Sequence, residues 1–391
     1  MSANVDFDLR GIVGIRLVDP SEREVGIVRR QLGPIEKPLD REPDIVIRFV
    51  DRLARDHDVR YLGLNDAAFD DDGFYLLRGR FNAPVRVSIP FDQIGGRCEI
   101  LAERGLPAMP HLVAIVNLTA LGNGVVPLHA GGFVHREMGV LVTGWAKGGK
   151  TETLLGFMAR GAEYVGDEWV YLDPGAGTMV GLPEPMRVWD WQIRTVPGLA
   201  GRIPAGMRVN LAVLRGTAAA VRGVGDIGVV KGTRPGRTIA RGLPYLERQL
   251  AVQVPPATVF DGRVRNEAVP IDRILVVVSS SRTDVGINRI EPVAIADRSV
   301  FSVDFERLDL LATYLKFRYA FPGRRNELLE SAAERERDLL RKTLVGRTAL
   351  EVDHPYPPDI GAMTAAIEER LDAIPHGGQP VSERNKNALI G

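Results

Sequence analysis

The amino-acid sequence predicts an α/β fold, with a small, mostly β domain before the α/β core and a helical subdomain after it. The apolar run 139–143 leads through a glycine-rich loop into a helix-compatible stretch that ends at Arg160. This order of strand, loop and helix is typical of α/β cores. The run Ile274–Ser279 has the length and apolar character of a buried strand. Further on, large apolar residues recur at helical spacing: Phe305, Leu308, Leu311, Leu315 and Tyr319.

Composition and charge limit the class of protein. The chain has 391 residues, of which 45% are hydrophobic and 26% charged, which indicates a soluble globular protein of two or three domains. Lys+Arg 50 balance Asp+Glu 50, so no overall field favours nucleic acid or a membrane surface as a partner. The single cysteine, Cys98, excludes an intramolecular disulfide and indicates a reducing compartment.

Two segments bear on location. Residues 1–10 have no basic region followed by an apolar core, so they do not predict a secretory signal, and we expect a cytoplasmic protein. The segment Leu112–Val134 carries no charged residue, but Asn117, Pro127 and four glycines interrupt it. We interpret it as buried helix, turn and strand and expect no membrane span.

The elements follow in order along the chain. Residues 1–108 contain short β-branched or alternating runs between Pro, Asp and Gly turns, which predict the small, mostly β domain. Apolar spacing of three and four from Leu112 to Leu121 predicts a connecting helix. The α/β core is predicted over 109–295, with strand, strand, loop, helix and two strands from Val126 to Leu172.

The C-terminal part is predicted to be helical over 296–374. A charged helical pattern runs from Arg325 to Thr343, and Asp359 can cap a last helix that ends at Ile374. Residues 375–391 are polar without an apolar period, which predicts a loosely ordered tail.

A basic segment interrupts the predicted core. Arg202–Arg248 holds nine basic residues against Asp226 and Glu247, a local net charge of +7. We interpret it as a solvated, glycine-rich loop region. The alternative is a docking face for phosphate or an acidic partner.

The loop Gly144–Thr151 fits the pattern G-x-x-x-x-G-K-[ST]. Such a loop presents backbone N–H groups, a helix N-terminus and one lysine to a polyphosphate, so it predicts binding of ATP. Lys150 is expected to reach the β- and γ-phosphates and Thr151 to place its hydroxyl on Mg²⁺. Gly144, Gly148 and Gly149 are expected to let the backbone close round the phosphates.

Lys147, inside the same loop, has two open interpretations. Its side chain either adds positive charge at the phosphates or points to solvent. The pattern does not decide between them.

Two adjacent carboxylates, Asp167 and Glu168, follow the short strand 163–165 that returns from the loop helix. Carboxylates at a strand end beside a phosphate loop suit a magnesium-dependent phosphoryl transfer site, where one of them accepts a proton. The alternative is a solvated turn. His129, on the preceding strand, would by itself more often be a core histidine with satisfied hydrogen bonds.

Three segments together resemble the catalytic core of HPr kinase/phosphorylase, the bacterial serine kinase of the sugar phosphotransferase carrier. In that family a histidine strand, a G-x-x-x-x-G-K-S-E loop, a short helix ending in Arg-Gly and an Asp-Asp pair follow one another. His129 lies 21 residues before Lys150, and Asp167 lies 17 residues after it, spacings that agree with the family's. The segments are Leu128–Val134, Gly139–Glu152 and Arg160–Glu168.

The resemblance implies a P-loop nucleotide-binding core of the HPr kinase/phosphoenolpyruvate carboxykinase type. It implies that Asp167 is the general base and acid, that Glu168 replaces the second aspartate near Mg²⁺, and that His129 supports the catalytic aspartate. It also implies a homo-oligomer, with a hexamer as one form.

Two further positions carry the resemblance less closely. Glu152 matches the family's loop signature, and Gln192-Ile193-Arg194 resembles its Glu-Ile-Arg segment, which makes Arg194 a phosphate contact. Gln192 in place of glutamate removes a metal ligand. The family's later signature loop, linked to the reverse reaction, has no evident counterpart, so the resemblance supports kinase chemistry more than the carrier protein as substrate.

The sequence therefore predicts an ATP- and Mg²⁺-dependent kinase that transfers the γ-phosphoryl to a hydroxyl of a protein serine or a small molecule, with Asp167 as base. The alternative is an ATP-binding regulatory or assembly module without transfer, which Glu168, Gln192 and the basic segment motivate. A carboxykinase-like enzyme has less support, because the chain is short for that family and shows no convincing second metal-binding lysine–histidine set.

Overall fold

The computed structural model describes residues 4–53, 59–62, 67–76, 87–226 and 249–374. These residues form a mixed α/β structure with two large sheets and one small strand pair. No helix within these ranges is both long and apolar enough to cross a membrane.

The N-terminal part is built on a sheet whose described strands number eight, together with helix α1 (Glu22–Leu32). The strands are β1 (Val5–Leu9), β2 (Val13–Val18), β3 (Ile45–Val50), β4 (Arg60–Leu62), β5 (Ala67–Phe69), β6 (Gly73–Leu76), β7 (Val87–Pro90) and β8 (Cys98–Glu103). Their order is β1-β2-β3-β8-β7-β6-β5-β4, with parallel pairing of β2, β3 and β8. The described part of residues 1–108 therefore contains the short strands that the sequence predicts.

The second sheet contains the strand that precedes the glycine-rich loop. Its strands are β9 (Val126–His135), β10 (Met138–Thr143), β11 (Glu163–Gly166), β12 (Trp169–Asp173), β13 (Thr178–Gly181), β16 (Val269–Pro270), β17 (Arg273–Ser280), β18 (Gly286–Arg289) and β19 (Thr348–Pro355). The order is β16-β13-β12-β9-β10-β17-β19-β18, and β11 also pairs with β9. Strands β10, β17 and β19 are parallel neighbours. The remaining pair joins β14 (Met186–Trp189) to β15 (Ala251–Val254).

The helices after α1 cover the second sheet and connect it to the first. They are α2 (Leu112–Gly122), α3 (Lys150–Ala159), α4 (Asp190–Thr195), α5 (Leu199–Arg202), α6 (Ala205–Asp226), α7 (Pro256–Val259), α8 (Pro292–Ala320), α9 (Glu327–Leu344) and α10 (Ile360–Asp372). The connecting helix, the loop helix, the helix after residue 325 and the last helix are all confirmed. Asp359 caps the last one, because its Oδ1 accepts from the backbone N–H of Ala362 at 2.9 Å.

Helices pack on both faces of the strands that carry the loop. On one face Val142 and Val277 contact the cluster that includes Leu155 of α3 and Met363 of α10. On the other face Leu141, Ile274 and Val276 pack with residues of α8 and α9. Burial of each such side chain stabilises the fold by about 1.5–3 kcal/mol. The loop therefore starts from a strand that is fixed from both sides.

Strand β19 corrects the prediction of a purely helical subdomain over 296–374. It lies between β17 and β18 in the same sheet as β10. The residues Ala349, Leu350 and Glu351 are good helix formers, so local preference did not indicate a strand. Pairing with β17 along all eight residues outweighs that preference.

The basic segment Arg202–Arg248 is also corrected in its first half. Residues 205–226 form α6, where a glycine-rich loop was predicted. Leu211 and Ala218, seven residues apart, are buried on one side of this helix, and such burial is what stabilises an amphipathic helix. Residues 227–248 lie outside the described part of the chain.

A buried ion pair joins the two long C-terminal helices. Arg307 of α8 is 4% exposed and contacts the fully buried carboxylate of Glu336 on α9, and it also donates to Asp304 at 3.1 Å. Burial raises the pKa of Glu336 to about 7 against the attraction of Arg307. The pair fixes how the two helices meet, at the cost of desolvating both charges.

We expect Arg307→Met to lower the free energy of unfolding by about 3–5 kcal/mol, because it leaves the Glu336 carboxylate buried without its counter-charge. Urea denaturation measures the change. The exposed Arg298, paired with Glu351, is the control, and Arg298→Met should cost about 1 kcal/mol or less. The double variant Arg307→Met/Glu336→Leu should recover much of the loss; a double variant as unstable as the single one would contradict this account.

Candidate functional site

The glycine-rich loop joins the end of β10 to the start of α3, as predicted. Gly144 has a φ of 151° and Gly149 a φ of 108°, both in the region that favours glycine. A Cβ on Gly144 would lie 2.5 Å from the carbonyl oxygen of Val277, and one on Gly149 would lie 2.6 Å from Nε2 of His354. Both glycines are therefore required by the backbone path and by their neighbours.

Lys150 folds back into the loop from the first turn of α3. The residue is 6% exposed, and its Nζ donates to the carbonyl oxygens of Gly144 and Trp145, both at 3.1 Å. Burial lowers its pKa, and the nearby carboxylates of Glu168 and Asp167 oppose this shift. The ammonium group thus stands inside the loop, next to a cluster of negative charge.

Asp167 lies beneath the loop helix, at the end of β11. The Thr151 hydroxyl donates to its two carboxylate oxygens at 3.2 and 3.1 Å, and the residue is only 3% exposed. Burial, followed by repulsion from Glu168, raises the pKa of Asp167 to about 7, while Thr151 and Lys150 act in the opposite direction. A carboxyl group with such a pKa can both accept and release a proton near neutral pH.

Glu168 and His129 form a second pair beside Asp167. Glu168 occupies the turn between β11 and β12 with a φ of 68° and keeps its side chain half exposed. Its Oε2 lies 2.9 Å from Nε2 of His129, and this hydrogen bond lowers the pKa of Glu168. Nδ1 of His129 lies 3.3 Å from Oε1 of Glu306 on α8. The direct hydrogen-bond partner of His129 is therefore Glu168, the residue next to the predicted catalytic aspartate.

These residues surround a cavity of about 610 Å³, within the size range of small-molecule sites. Most of the predicted site residues line it: His129, Lys147, Gly149, Lys150, Thr151, Glu152 and Glu168. The Asp167 side chain is buried below the cavity wall and is not one of the residues that line the cavity. A second cavity of about 500 Å³, lined by apolar and polar residues of β17 and α8, lies along Gly144 and Gly148 and shares Ala146, Lys147 and Tyr356 with the first.

The Glu152 side chain is held in place by a hydrogen bond between two residues of the cavity wall. Nε2 of Gln192 donates to Glu152 Oε1 at 2.9 Å, and the backbone N–H of Trp189 donates to Gln192 Oε1 at 2.8 Å. The amide at position 192 therefore positions an acidic side chain, where a glutamate would repel it. This contact ties α3 to α4 on one side of the cavity.

Arg194 is not part of this arrangement, which corrects its prediction as a phosphate contact. Its Nε donates to Asp190 at 3.1 Å, one helical turn earlier, and Asp190 also accepts from Arg215 at 2.7 Å. Among the described residues, the guanidinium that lines the cavity belongs to Arg187, which lies 4.6 Å from the ring centroid of Trp189. Arg187 lies on β14, before α4, and outside the family-like segment.

His354 was also missed by sequence reasoning. It is 1% exposed on β19, with Nε2 2.8 Å from the carbonyl oxygen of Gly148 and Nδ1 2.9 Å from that of Pro355. Glu306 on α8 was likewise not predicted. Both residues lie more than 150 positions after Thr151 in the chain, and no local pattern connects them to the loop.

The oxygen atoms in the site suit a Mg²⁺ ion whose remaining ligands are waters and substrate phosphates. Among the described residues, no group of three or more His, Cys, Asp or Glu side chains is arranged to hold a metal ion. Mg²⁺ commonly takes one or two carboxylates, retains waters and binds substrate phosphates. The Thr151 hydroxyl, the Asp167 carboxylate and the adjacent Glu168 are oxygen donors of this type.

Without nucleotide and Mg²⁺, Asp167 should make stability depend on pH. Its pKa is raised from 3.8 to about 7 on folding, so the folded chain binds the proton more tightly, and the free energy of unfolding should fall as pH rises from about 4 to about 7. We expect the fall to be smaller in Asp167→Asn, by on the order of 2 kcal/mol. Urea denaturation across this range measures it. Asp284→Asn, at an exposed aspartate, should keep the wild-type dependence, and an unchanged dependence in Asp167→Asn would refute the assignment.

Comparison with known proteins identifies no relative: no protein-family model matches the chain, and no curated protein sequence matches it. The geometry of the site therefore carries the functional argument.

Proposed function

We propose that the chain is an ATP- and Mg²⁺-dependent kinase with a P-loop core of the HPr kinase type, which transfers the γ-phosphoryl of ATP to a hydroxyl acceptor. One observation carries the proposal. The Thr151 hydroxyl, from a loop of the phosphate-binding pattern, donates to a buried aspartate whose pKa is raised to about 7. Lys150, from the same loop, lines the adjoining cavity.

Each residue has a role in this reaction. The loop amides and Lys150 bind the phosphates, and Asp167 takes the proton of the acceptor hydroxyl. The acceptor oxygen bonds to the γ-phosphorus while the bond from that phosphorus to the bridging oxygen of ADP breaks. Thr151, Asp167 and Glu168 would hold Mg²⁺, which when bound would neutralise charge on the phosphate oxygens.

His129 and Glu306 act on Glu168 in this scheme. The hydrogen bond with His129 favours the ionised form of Glu168 and so lowers the pKa of Glu168. Glu306 contacts the other ring nitrogen of His129. Glu168 therefore stays negative while Asp167 exchanges a proton. Such a division between two neighbouring carboxyl groups is typical of acid–base sites.

A specific observation favours the alternative of an ATP-binding regulatory or assembly module. Asp167 is 3% exposed, and both of its oxygens accept from Thr151. An acceptor hydroxyl reaches it only if the Thr151 side chain turns away. If no acceptor achieves this, the site binds nucleotide without transfer.

Incubation of the purified protein with γ-labelled ATP, Mg²⁺ and a bacterial cell extract separates the two functions. A kinase labels a protein or a small molecule in the extract, and removal of Mg²⁺ with a chelator abolishes the label. Binding of ATP without any labelled acceptor would favour the regulatory module. Absence of ATP binding by the wild-type protein would refute both.

A further inference from the structure

Helix α8 has an apolar stripe on its exposed side. Six residues spaced by four, three, four, three and four positions are all exposed: Phe301, Phe305, Leu308, Ala312, Leu315 and Tyr319. The exposed fraction reaches 64% at Phe301 and 79% at Tyr319. Over these residues the stripe is about 27 Å long. We call this set the heptad stripe.

The opposite side of α8 already has its packing partners. Leu310, Tyr314 and Phe317 are buried, and the ring of Phe317 lies 4.8 Å from that of Phe91 in the N-terminal part. The heptad stripe is therefore additional to the face that stabilises the fold. Its area is on the order of 500 Å² for five large side chains, the size of the largest apolar patch on a typical monomer, which is often functional.

The spacing of the stripe selects the kind of partner. Apolar residues that alternate by three and four positions are those of a helix that pairs with another helix. Amphipathic helices that lie on a membrane share this spacing, but they are rich in Lys and Arg beside the apolar face, whereas Asp304, Glu306 and Asp309 flank the N-terminal half of this stripe. The observation therefore favours a helical partner with the same repeat.

We propose that the heptad stripe pairs with the heptad stripe of a second copy of this chain, with the two α8 helices antiparallel. Around a two-fold axis between residues 308 and 312, Leu308 lies opposite Ala312 of the second copy. In the same register Phe305 lies opposite Leu315 of the second copy, and Phe301 lies opposite Tyr319 of the second copy. Every large residue of the stripe then has an apolar neighbour.

The charges beside the stripe distinguish the two directions of pairing. The N-terminal half is flanked by Asp304 and Asp309, and the C-terminal half by Lys316 and Arg318. Antiparallel pairing sets Asp304 opposite Arg318 of the second copy twice and Asp309 opposite Asp309 of the second copy once, at the centre. Parallel pairing sets Asp304 opposite Asp309 of the second copy twice and makes no opposite-charge pair from these four residues. Arg318 already contacts Glu330 at 3.1 Å, so the guanidinium would bridge two carboxylates. Opposite charges across such a seam set partner and orientation.

A groove beside the stripe matches this register. It measures about 380 Å³ and lies between α8 and α9, with Leu311, Leu315 and Leu329 in its wall and charged residues at Asp304, Arg307, Arg318 and Glu330. Phe305 of the second copy faces this groove, because it lies opposite Leu315. An aromatic side chain that enters a pocket is a common anchor of protein interfaces.

The N-terminal end of the heptad stripe lies beside the glycine-rich loop. Phe301 lines the 500 Å³ cavity next to the glycine-rich loop, and the ring of Phe305 lies 5.2 Å from that of Trp145 in the loop. Tyr319 of the second copy lies opposite Phe301 and would close the mouth of this cavity. Each copy thus supplies one wall of a cavity in the other.

The first experiment measures oligomeric state by light scattering after size-exclusion chromatography at micromolar protein concentrations. We expect a dimer for the wild-type chain and a monomer for Leu308→Glu, with an unchanged far-ultraviolet circular dichroism spectrum because Leu308 is 51% exposed in the single chain. Val209→Glu is the matched control, since Val209 is 60% exposed on α6 and away from the stripe. A wild-type monomer, or a dimer that survives Leu308→Glu, would overturn the proposal.

The second experiment tests direction. Cys98 is buried, so an introduced thiol can be oxidised selectively. A mixture of Leu308→Cys and Ala312→Cys chains should form a disulfide between the two variants, and Ala312→Cys alone should form none. A covalent dimer from Ala312→Cys alone would show parallel pairing and overturn the antiparallel register, as would a dimer in which neither preparation becomes linked.

Discussion

Lys150→Ala should abolish detectable phosphoryl transfer and weaken ATP binding, with a loss of transfer on the order of 10³-fold or more. Loss of a preorganised cation at the phosphates has effects of this size. The ammonium is also held in place by two loop carbonyls, so its removal leaves both acceptors without their donor. Calorimetric titration with ATP and the labelled-transfer assay measure the two effects separately.

Lys147→Ala is the matched comparison, because Lys147 belongs to the same loop and its side chain is exposed. We expect a loss of about tenfold or less, the size associated with an exposed charge. This variant also decides between the two interpretations of Lys147 that the sequence leaves open. A loss as large as that of Lys150→Ala would contradict the prediction that Lys150 contributes much more to binding and transfer than Lys147.

Asp167→Asn should keep ATP affinity within a few-fold and reduce transfer by about 10²–10⁴-fold, the usual contribution of a general base. The amide fills the same space and can still bond with Thr151, so the loop helix should remain in place. Single-turnover transfer from labelled ATP, together with the ATP dissociation constant, measures the change. Full transfer by this variant would show that Asp167 is not the base.

Glu168→Gln separates the roles of the two carboxyl groups. It removes a negative charge beside Asp167 and weakens the hydrogen bond with His129. We expect it to raise the Mg²⁺ concentration needed for transfer, with the maximum rate less affected than in Asp167→Asn. If Glu168→Gln lowered the maximum rate more than Asp167→Asn, Glu168 would be the group that accepts the proton.

Local patterns in the sequence were sufficient for the elements next to the loop. The run before Gly144, the spacing of the glycines and the helix after Lys150 are patterns within about twenty residues of sequence, where periodicity and turn chemistry are informative. The spacing from Lys150 to Asp167 likewise belongs to one strand–helix–strand unit. These parts of the candidate site could therefore be predicted.

The remaining parts depend on pairing between distant segments. Strand β19 forms because its backbone bonds with β17 and β18, and nothing in Ala349-Leu350-Glu351 indicates that environment. His354 and Glu306 reach the site through β19 and α8, so they were not predictable before those elements were placed. The pairing of Arg194 with Asp190, one turn earlier in α4, was likewise not considered when the segment was compared with the family's pattern.

The hydrogen bond between Gly148 and His354 spans 206 positions of the chain, which bears on the order of events during synthesis. Chains grow from the N-terminus, and their parts begin to fold as they emerge from the ribosome. The strand, the glycines and the loop helix emerge early, but the histidine contact forms only after β19 has emerged. A nascent chain that stops before residue 348 therefore carries the whole phosphate-loop motif and lacks the imidazole that contacts it.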